Sequence, residues 1–393
     1  MTLEIRNYTP FVPFAFEKQG KGRINYEVVI IKGTFDLTPG KVKIAADQKL
    51  PVLADQYYGE PETTSLAMEG DLVPFKPATD IYVTGHAHRP SQAPAYEWLA
   101  EIAIAQTQTQ DSAKHKAGDV LTLRSTLHLC GPRFWECSLL GGWRLGKPEA
   151  TSSIALKYEL AFGGQIERKV KVSEQHPTGI MMESYAPNPV GVGYYDIATM
   201  KRDQRYQAPS ILSRGQTIDS LGDRPAPAGT TPISRWWPQR YRYAGTYDRR
   251  WERTWQDEQG KPLAAVFPAL PEDFDNRFYN AAPLGLTWPG WLQGDETLQV
   301  RGFMPDGDLQ TSLMGLRMLG LLQGGEESGR TELFKLDTLH IDLDARQVIL
   351  TWRLTVLKSL EAERLQIMFA NPGEGYDRTP DDASQARNPN AFA

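Results

Sequence analysis

Gly141-Gly142-Trp143-Arg144-Leu145-Gly146-Lys147 reproduces the first seven positions of a phosphate-binding loop, but the eighth is Pro148. A Ser or Thr is needed there to ligate magnesium, and proline lacks the N–H that helps to cradle a phosphate. A glycine turn between strands is the expectation. Gly191-Val192-Gly193-Tyr194-Tyr195-Asp196 opens like a dinucleotide fingerprint but carries Asp where the third glycine belongs, and no helical pattern follows. His86 and His88 are two apart, so on a strand they face the same way and can share a metal. Asp80 has the same parity, yet six strand residues put it about 20 Å away. Any further ligand must come from elsewhere in the chain, and hydrogen-bonded surface or turn histidines are expected. Cys130 and Cys137, seven apart, match no zinc spacing and read as buried or idle thiols.

The chain has no G-x-S-x-G elbow and no H-E-x-x-H. Glu272, Asp273 and Asp275 cluster, as carboxylates do at a helix start. Six of the ten tryptophans (Trp236, Trp237, Trp251, Trp255, Trp288 and Trp291) crowd into one segment beside these acids. Stacking tryptophans next to carboxylates can describe a sugar cleft or a glycosidase; buried aromatic packing in place of regular core structure is the simpler account. No catalytic residue, cofactor or metal is assigned. The chain is expected not to be an enzyme.

One segment has the composition of a binding surface. Arg235-Trp236-Trp237-Pro238-Gln239-Arg240-Tyr241-Arg242-Tyr243 holds two tryptophans, two tyrosines and three arginines, the residue types that dominate interface hot spots. Pro238 interrupts a continuous helix. Adjacent residues point in different directions on a helix or a strand, so Trp236 and Trp237 do not easily share one core. Arg235, Trp236, Trp237, Arg240, Tyr241, Arg242 and Tyr243 are therefore the candidate protein-binding residues. The alternative is that one ring is buried and the other lids a neighbouring apolar patch.

Something must position these groups, and the composition bounds what that is. Among 393 residues 40% are apolar and 23% charged, enough for a real core. The 34 glycines and 28 prolines imply many turns between short elements. A net charge of −5 argues against nucleic acid, since a phosphate backbone repels such a chain. Two cysteines make no disulfide scaffold, the start MTLEIRNYTP has no signal-peptide pattern, and no apolar run reaches the ~18 residues of a membrane helix. A soluble cytoplasmic protein is expected.

The fold is predicted to be mainly β, with two β-sandwich-like modules. In the N-terminal module, residues 1–164, Ile24–Ile31 continues through Leu37 into the turn Thr38-Pro39-Gly40 and returns along Lys41–Ile44 as a hairpin. Asp80–Gly85, Tyr96–Ile104, Val120–Leu129 and Ile154–Phe162 are further strands. In the C-terminal module, residues 293–370, Thr297–Phe303, Glu332–Leu336, Thr338–Leu343 and Gln347–Leu357 are strands, and Leu309–Leu322 fits neither period. The hairpin there faintly echoes the first, as related modules or as hairpins commonly look alike. Between them, 165–292 is loop-rich and aromatic-rich with two short helices. One is capped by Thr246, with Tyr247, Trp251 and Trp255 as its stripe; the other opens at Pro271, with Phe274 and Phe278. Residues 371–393 read as a disordered tail.

An ordered set of motifs runs through the chain. Asp71-Leu72-Val73-Pro74-Phe75-Lys76-Pro77-Ala78-Thr79-Asp80 leads to Val83-Thr84-Gly85-His86-Ala87. Tyr158-Glu159-Leu160-Ala161-Phe162-Gly163-Gly164, Asn188-Pro189-Val190-Gly191-Val192-Gly193 and Ala244-Gly245-Thr246-Tyr247-Asp248 with Trp251 follow. Leu270-Pro271-Glu272-Asp273-Phe274-Asp275-Asn276-Arg277-Phe278 with Ala281-Ala282-Pro283, and Trp352-Arg353, complete it. In this order the set resembles the domain-of-unknown-function family twenty-one sixty-nine, from about residue 24 to 353. Where that family has Pro-Ala-Gly-Phe-Gly-Pro-Ile, this chain has Pro227-Ala228-Gly229-Thr230-Thr231-Pro232-Ile233. The resemblance implies an effector adaptor or chaperone of bacterial type VI secretion. Such a protein binds a toxin in the cytoplasm and loads it onto the spike, through VgrG, its PAAR-type tip, or both. It implies no catalytic residue. A carbohydrate-binding or carbohydrate-active β protein and a structural spike component are the alternatives.

Overall fold

Asn25–Asp36, the run containing Val28-Val29-Ile30-Ile31, forms one strand whose ten inner residues are all buried. Such a strand needs cover on both faces, and it organises what surrounds it. The computed structural model describes residues 3–107, 120–138, 142–173, 175–254, 256, 261, 269–325 and 328–370. Trp255, Gly141 and the tail 371–393 lie outside these. Strand occupies 42% and helix 7% of the described residues, so the mainly β expectation holds. Among the described residues no helix is long and apolar enough to cross a membrane.

In chain order the strands of the three larger sheets are β1 (Glu4–Asn7), β2 (Val12–Gln19), β3 (Asn25–Asp36), β4 (Lys43–Ile44), β5 (Thr79–Thr84), β6 (Glu97–Thr107), β7 (Val120–Cys130), β8 (Ile211–Ser213), β9 (Thr287–Trp288), β10 (Thr297–Arg301), β11 (Leu309–Ser312), β12 (Arg317–Gln323), β13 (Thr331–Leu333), β14 (Lys335–Asp342), β15 (Gln347–Leu357) and β16 (Arg364–Ala370). A seven-stranded sheet runs β2-β3-β15-β14-β5-β9 with β4 on β3. A five-stranded sheet runs β8-β7-β6-β10-β11, and a four-stranded one β1-β16-β12-β13.

All three sheets draw strands from both ends of the chain. β3 pairs with β15 from Asp36↔Gln347 to Tyr26↔Leu357, and β5 runs parallel to β14. β6 pairs with β10, and β1 runs parallel to β16. Residues 1–164 and 293–370 therefore share sheets instead of each closing its own. Turn chemistry fixes the local hairpins, whereas long-range pairing follows from which strands can cover each other. The two echoing hairpins, β3–β4 and β14–β15, are neighbours in one sheet.

Period-two alternation then sorts the central side chains. Val29, Ile31, Phe35, Ile81, Val83, Leu339, Ile341, Leu350 and Trp352 enter the main core with residues of the other two sheets. Lys32, Asp80, Tyr82, Thr84, Thr338, His340, Thr351 and Arg353 alternate with them and face the opposite way, yet all are buried. A bulge between Leu336 and Thr338 keeps Leu336 and Leu339 on the core side and turns Asp337 toward Arg353.

Residues 48–76 and the middle segment cover that polar face together. Among its described residues the middle segment holds two helices, α1 (Pro238–Tyr241) and α2 (Arg249–Arg253), and a 3-10 turn, Asn276–Tyr279. Asp248, not Thr246, caps α2, because its carboxylate reaches both the Arg250 and Trp251 N–H groups at 2.9 Å. Pro271 opens no helix. The turn behind it is capped by Asp275, and Phe274 and Phe278 pack edge-to-face at 5.7 Å. Ile154–Phe162 breaks into Ser153–Ala155, a 3-10 turn at Tyr158–Leu160 and Phe162–Gly163. Leu309–Leu322 resolves into β11 and part of β12.

Candidate functional site

The polar face of the seven-stranded sheet carries a buried network of charges. Lys76 Nζ lies 3.0 Å from Glu69 and 2.8 Å from Asp80, and also donates to Thr338 Oγ1 at 3.2 Å. The Tyr82 hydroxyl donates to Asp80 at 2.8 Å and to Glu69 at 3.1 Å. Arg240 Nη2 reaches Glu69 at 2.6 Å and the Phe278 carbonyl at 2.9 Å, while its Nη1 donates to the Ile233 carbonyl at 2.8 Å. Asp80 further accepts the Ala281 and Ala282 N–H groups and the Asn280 amide. Alongside, Arg353 pairs with Asp337 at 2.5 Å and donates to the Asp71 and Val73 carbonyls, and Lys32 meets Asp71 at 2.6 Å.

Each cation in this network faces a carboxylate, which is how charges survive out of water. Burial alone raises the Glu69 carboxyl, but Arg240, Lys76 and Arg235 outweigh it and hold its pKa down to about 2. Burial likewise opposes the Lys76 charge, and Asp80, Glu69 and Asp337 overcome it and raise its pKa. Tyr82 is driven well above its ordinary value by burial and the two carboxylates beside it. None of these groups is accessible, so the network holds segments together.

It joins the motifs that are scattered along the sequence. Asp71, Lys76 and Asp80 meet Ala281, Ala282 and Arg353 here. Elsewhere Phe162 and Gly163 pair in parallel with Val192 and Gly193, and the buried Asn188 amide donates to the Tyr158 and Phe162 carbonyls. A Cβ on Gly163 would stand 2.1 Å from the Asn188 carbonyl oxygen, so only glycine fits. Asp273 accepts the Thr246 N–H and hydroxyl, which hold its pKa below the ordinary value. Thr230, one of the two threonines at the departure from the family pattern, extends the edge of β5 through Val83.

Above this base lies a cleft of about 880 Å³ between α1 and the turn at Asp275. Arg242 and Arg277 each lie over the Tyr243 ring, at 4.7 and 4.4 Å. Arg277 is also paired with Asp275 at 2.5 Å, whereas Arg242 has no carboxylate partner among the described residues. Leu284 lines the same cleft and is 100% exposed. It sits in the turn Pro283–Leu286, where Gly285 takes the positive φ of +86° and leaves the Leu284 side chain in solvent.

The candidate binding residues divide between these two layers. Trp237 is fully buried against Tyr158, and Arg240 belongs to the network; neither can reach a partner. Trp236 is 41% and Tyr241 58% exposed, and Arg242 and Tyr243 line the cleft. Arg235 is partly exposed and pairs with Asp55. Of the six clustered tryptophans, Trp237 and Trp288 are fully buried and Trp251 and Trp291 half-buried, which favours packing over a stacking platform. Leu284 and Glu69 carry no local signal in the sequence.

His86 bonds Asp344 at 2.9 Å, and its ring centroid is 6.2 Å from that of His88. The metal-capable group among the described residues is a different one, Glu97, His128 and Cys130, on the β6–β7 hairpin away from the cleft. Both cysteines are free.

A family model described as "Uncharacterized protein conserved in bacteria (DUF2169)" matches residues 23–353. No curated protein and no solved structure matches the chain.

Proposed function

This chain belongs to the DUF2169 family, and on that premise we propose that it is an adaptor of type VI secretion. It holds a secreted toxin in the bacterial cytoplasm and delivers it to the VgrG spike or its PAAR-type tip. The observation that carries this reading is the cleft: a guanidinium with no carboxylate partner among the described residues, an aromatic ring flanked by arginines and a fully exposed leucine converge over a buried base. Such a mixture of apolar anchor and charged rim is what recognises a protein segment. Arg242, which meets no carboxylate among the described residues, favours a segment that brings one.

The acids nearby are engaged in other ways. Asp273 accepts the Thr246 N–H and hydroxyl, Asp275 pairs with Arg277, and Glu272 stands 94% exposed. No pair of these carboxylates is left facing a shared bond, as glycoside hydrolysis requires, which supports a binding protein over a hydrolase. Co-expression with the toxin and spike proteins of the same genome tests the proposal. Wild type is expected to co-purify with both, and Arg242→Glu or Leu284→Asp to lose the toxin by at least about thirtyfold in affinity while melting unchanged. An adaptor that captures neither partner, or a purified chain that cleaves a polysaccharide or peptide panel and stops on Glu272→Gln, refutes it.

A further inference from the structure

The β6–β7 hairpin is amphipathic. Trp98, Ala100, Leu127 and Leu129 pack on the main core, so Glu97, His128 and Cys130 emerge on its other face. Register brings them together: Glu97 stands directly opposite Cys130, and His128 follows two residues back along the same side. The ligand atoms form a small triangle. His128 Nε2 lies 3.1 Å from Glu97 Oε2 and 3.6 Å from Cys130 Sγ, and that sulfur lies 4.0 Å from Glu97 Oε2. Tetrahedral zinc with ordinary bond lengths needs about 3.4 Å between its nitrogen and oxygen ligands and about 3.6 Å between sulfur and either. The three atoms already sit within about 0.4 Å of one face of that tetrahedron.

We propose that Glu97, His128 and Cys130 bind a borderline divalent transition metal, with Zn²⁺ the best fit to this donor set. Binding replaces the Cys130 thiol proton, which passes to solvent, so the ligands become one thiolate, one carboxylate and one neutral imidazole. Two negative charges balance the dication beside Arg133, the cationic neighbour of Cys130. Glu97 is exposed, and the fourth position opens toward water on its side, as in sites that accept an incoming ligand. The same three groups can be ordered as a thiol, a base and an orienting acid. Cys130 has no exposed surface, however, and burial raises its pKa, which disarms it as a nucleophile toward an outside substrate.

The test is a titration of the reduced, metal-stripped full chain with Co²⁺, read by thiolate-to-cobalt charge-transfer absorption, followed by displacement with Zn²⁺. One equivalent of cobalt is expected, removed stoichiometrically by zinc, with Cys137→Ser unchanged and Cys130→Ser lacking the charge-transfer band. Glu97→Gln, at an exposed position, is expected to fold normally and bind cobalt at least tenfold more weakly, which keeps the test decisive if Cys130→Ser does not fold. The proposal falls if no charge-transfer band develops, if the band follows Cys137, or if Glu97→Gln binds as wild type does.

Discussion

Glu69→Gln probes the buried network most directly. Wild-type Glu69 balances Lys76 and Arg240 together with Asp80, and the amide leaves one positive charge uncompensated in a site closed to water. Breaking a buried pair by removing one partner costs about 3–5 kcal/mol. The carboxyl pKa gives an independent figure. Its fall from the ordinary 4.5 to about 2 corresponds to about 3 kcal/mol by linkage. Both routes agree on roughly 3 kcal/mol, or about 4 °C in melting temperature for a chain of this size. The sign with pH follows from the direction of the shift. A depressed carboxyl stabilises fully above its unfolded pKa, so the advantage of wild type is complete above pH 4.5 and shrinks as pH falls toward 2. Thermal unfolding followed by tryptophan fluorescence at pH 7, 4 and 3 measures this. A variant that melts within 2 °C of wild type at pH 7, or a difference that grows on acidification, would refute the reasoning.

Trp237→Ala is expected to cost about 3–5 kcal/mol and most of the soluble yield, because the ring is fully buried; Trp236→Ala should shift the melting temperature by no more than about 2 °C, and equal melting of the two variants would contradict the division of the loop. Gly245→Ala places a Cβ 2.8 Å from Pro271 at a φ of +82°, so a loss of at least ~1 kcal/mol is expected in denaturant titration. Glu296 is pushed up to about 7 by burial, ahead of the N–H groups that favour its charge. Its stabilising contribution is therefore complete below pH 4.5 and lost as pH rises through 7, and Glu296→Gln should flatten the fall in melting temperature between pH 5 and 8.

Much of the fold is legible in the sequence wherever burial follows a local pattern. β3, β7 and β15 are long runs of β-branched and apolar residues, and their extents can be read almost to the residue. Strands such as β1, β2 and β16 are not legible, because their mixed residues become strand only when a neighbour offers its hydrogen bonds. The site is harder for the same reason. Asp80, Tyr82 and Thr84 alternate with Ile81 and Val83 as the polar residues of a half-exposed strand do, and nothing local reveals that α1 and the Asn276–Tyr279 turn close over them. Lys76 and Arg353 likewise resemble surface charges until residues 69–82 and β14 come together around them. Glu97 and Cys130, 33 residues apart, meet only through the register of the β6–β7 pair.

The long ladder between β3 and β15 also sets an order of events during synthesis. β3 is complete once residue 36 has left the ribosome, yet its partner ends at residue 357. For most of translation, therefore, the Val28-Val29-Ile30-Ile31 edge is a hydrogen-bonding template with one side vacant, the kind of edge that pairs with other chains when left uncovered. Pairing across such a separation is slow because the loop entropy is spent before any contact is gained. Nascent copies are thus exposed to intermolecular strand exchange until β15 emerges, and a chain truncated ahead of β14 would keep that hazard permanently.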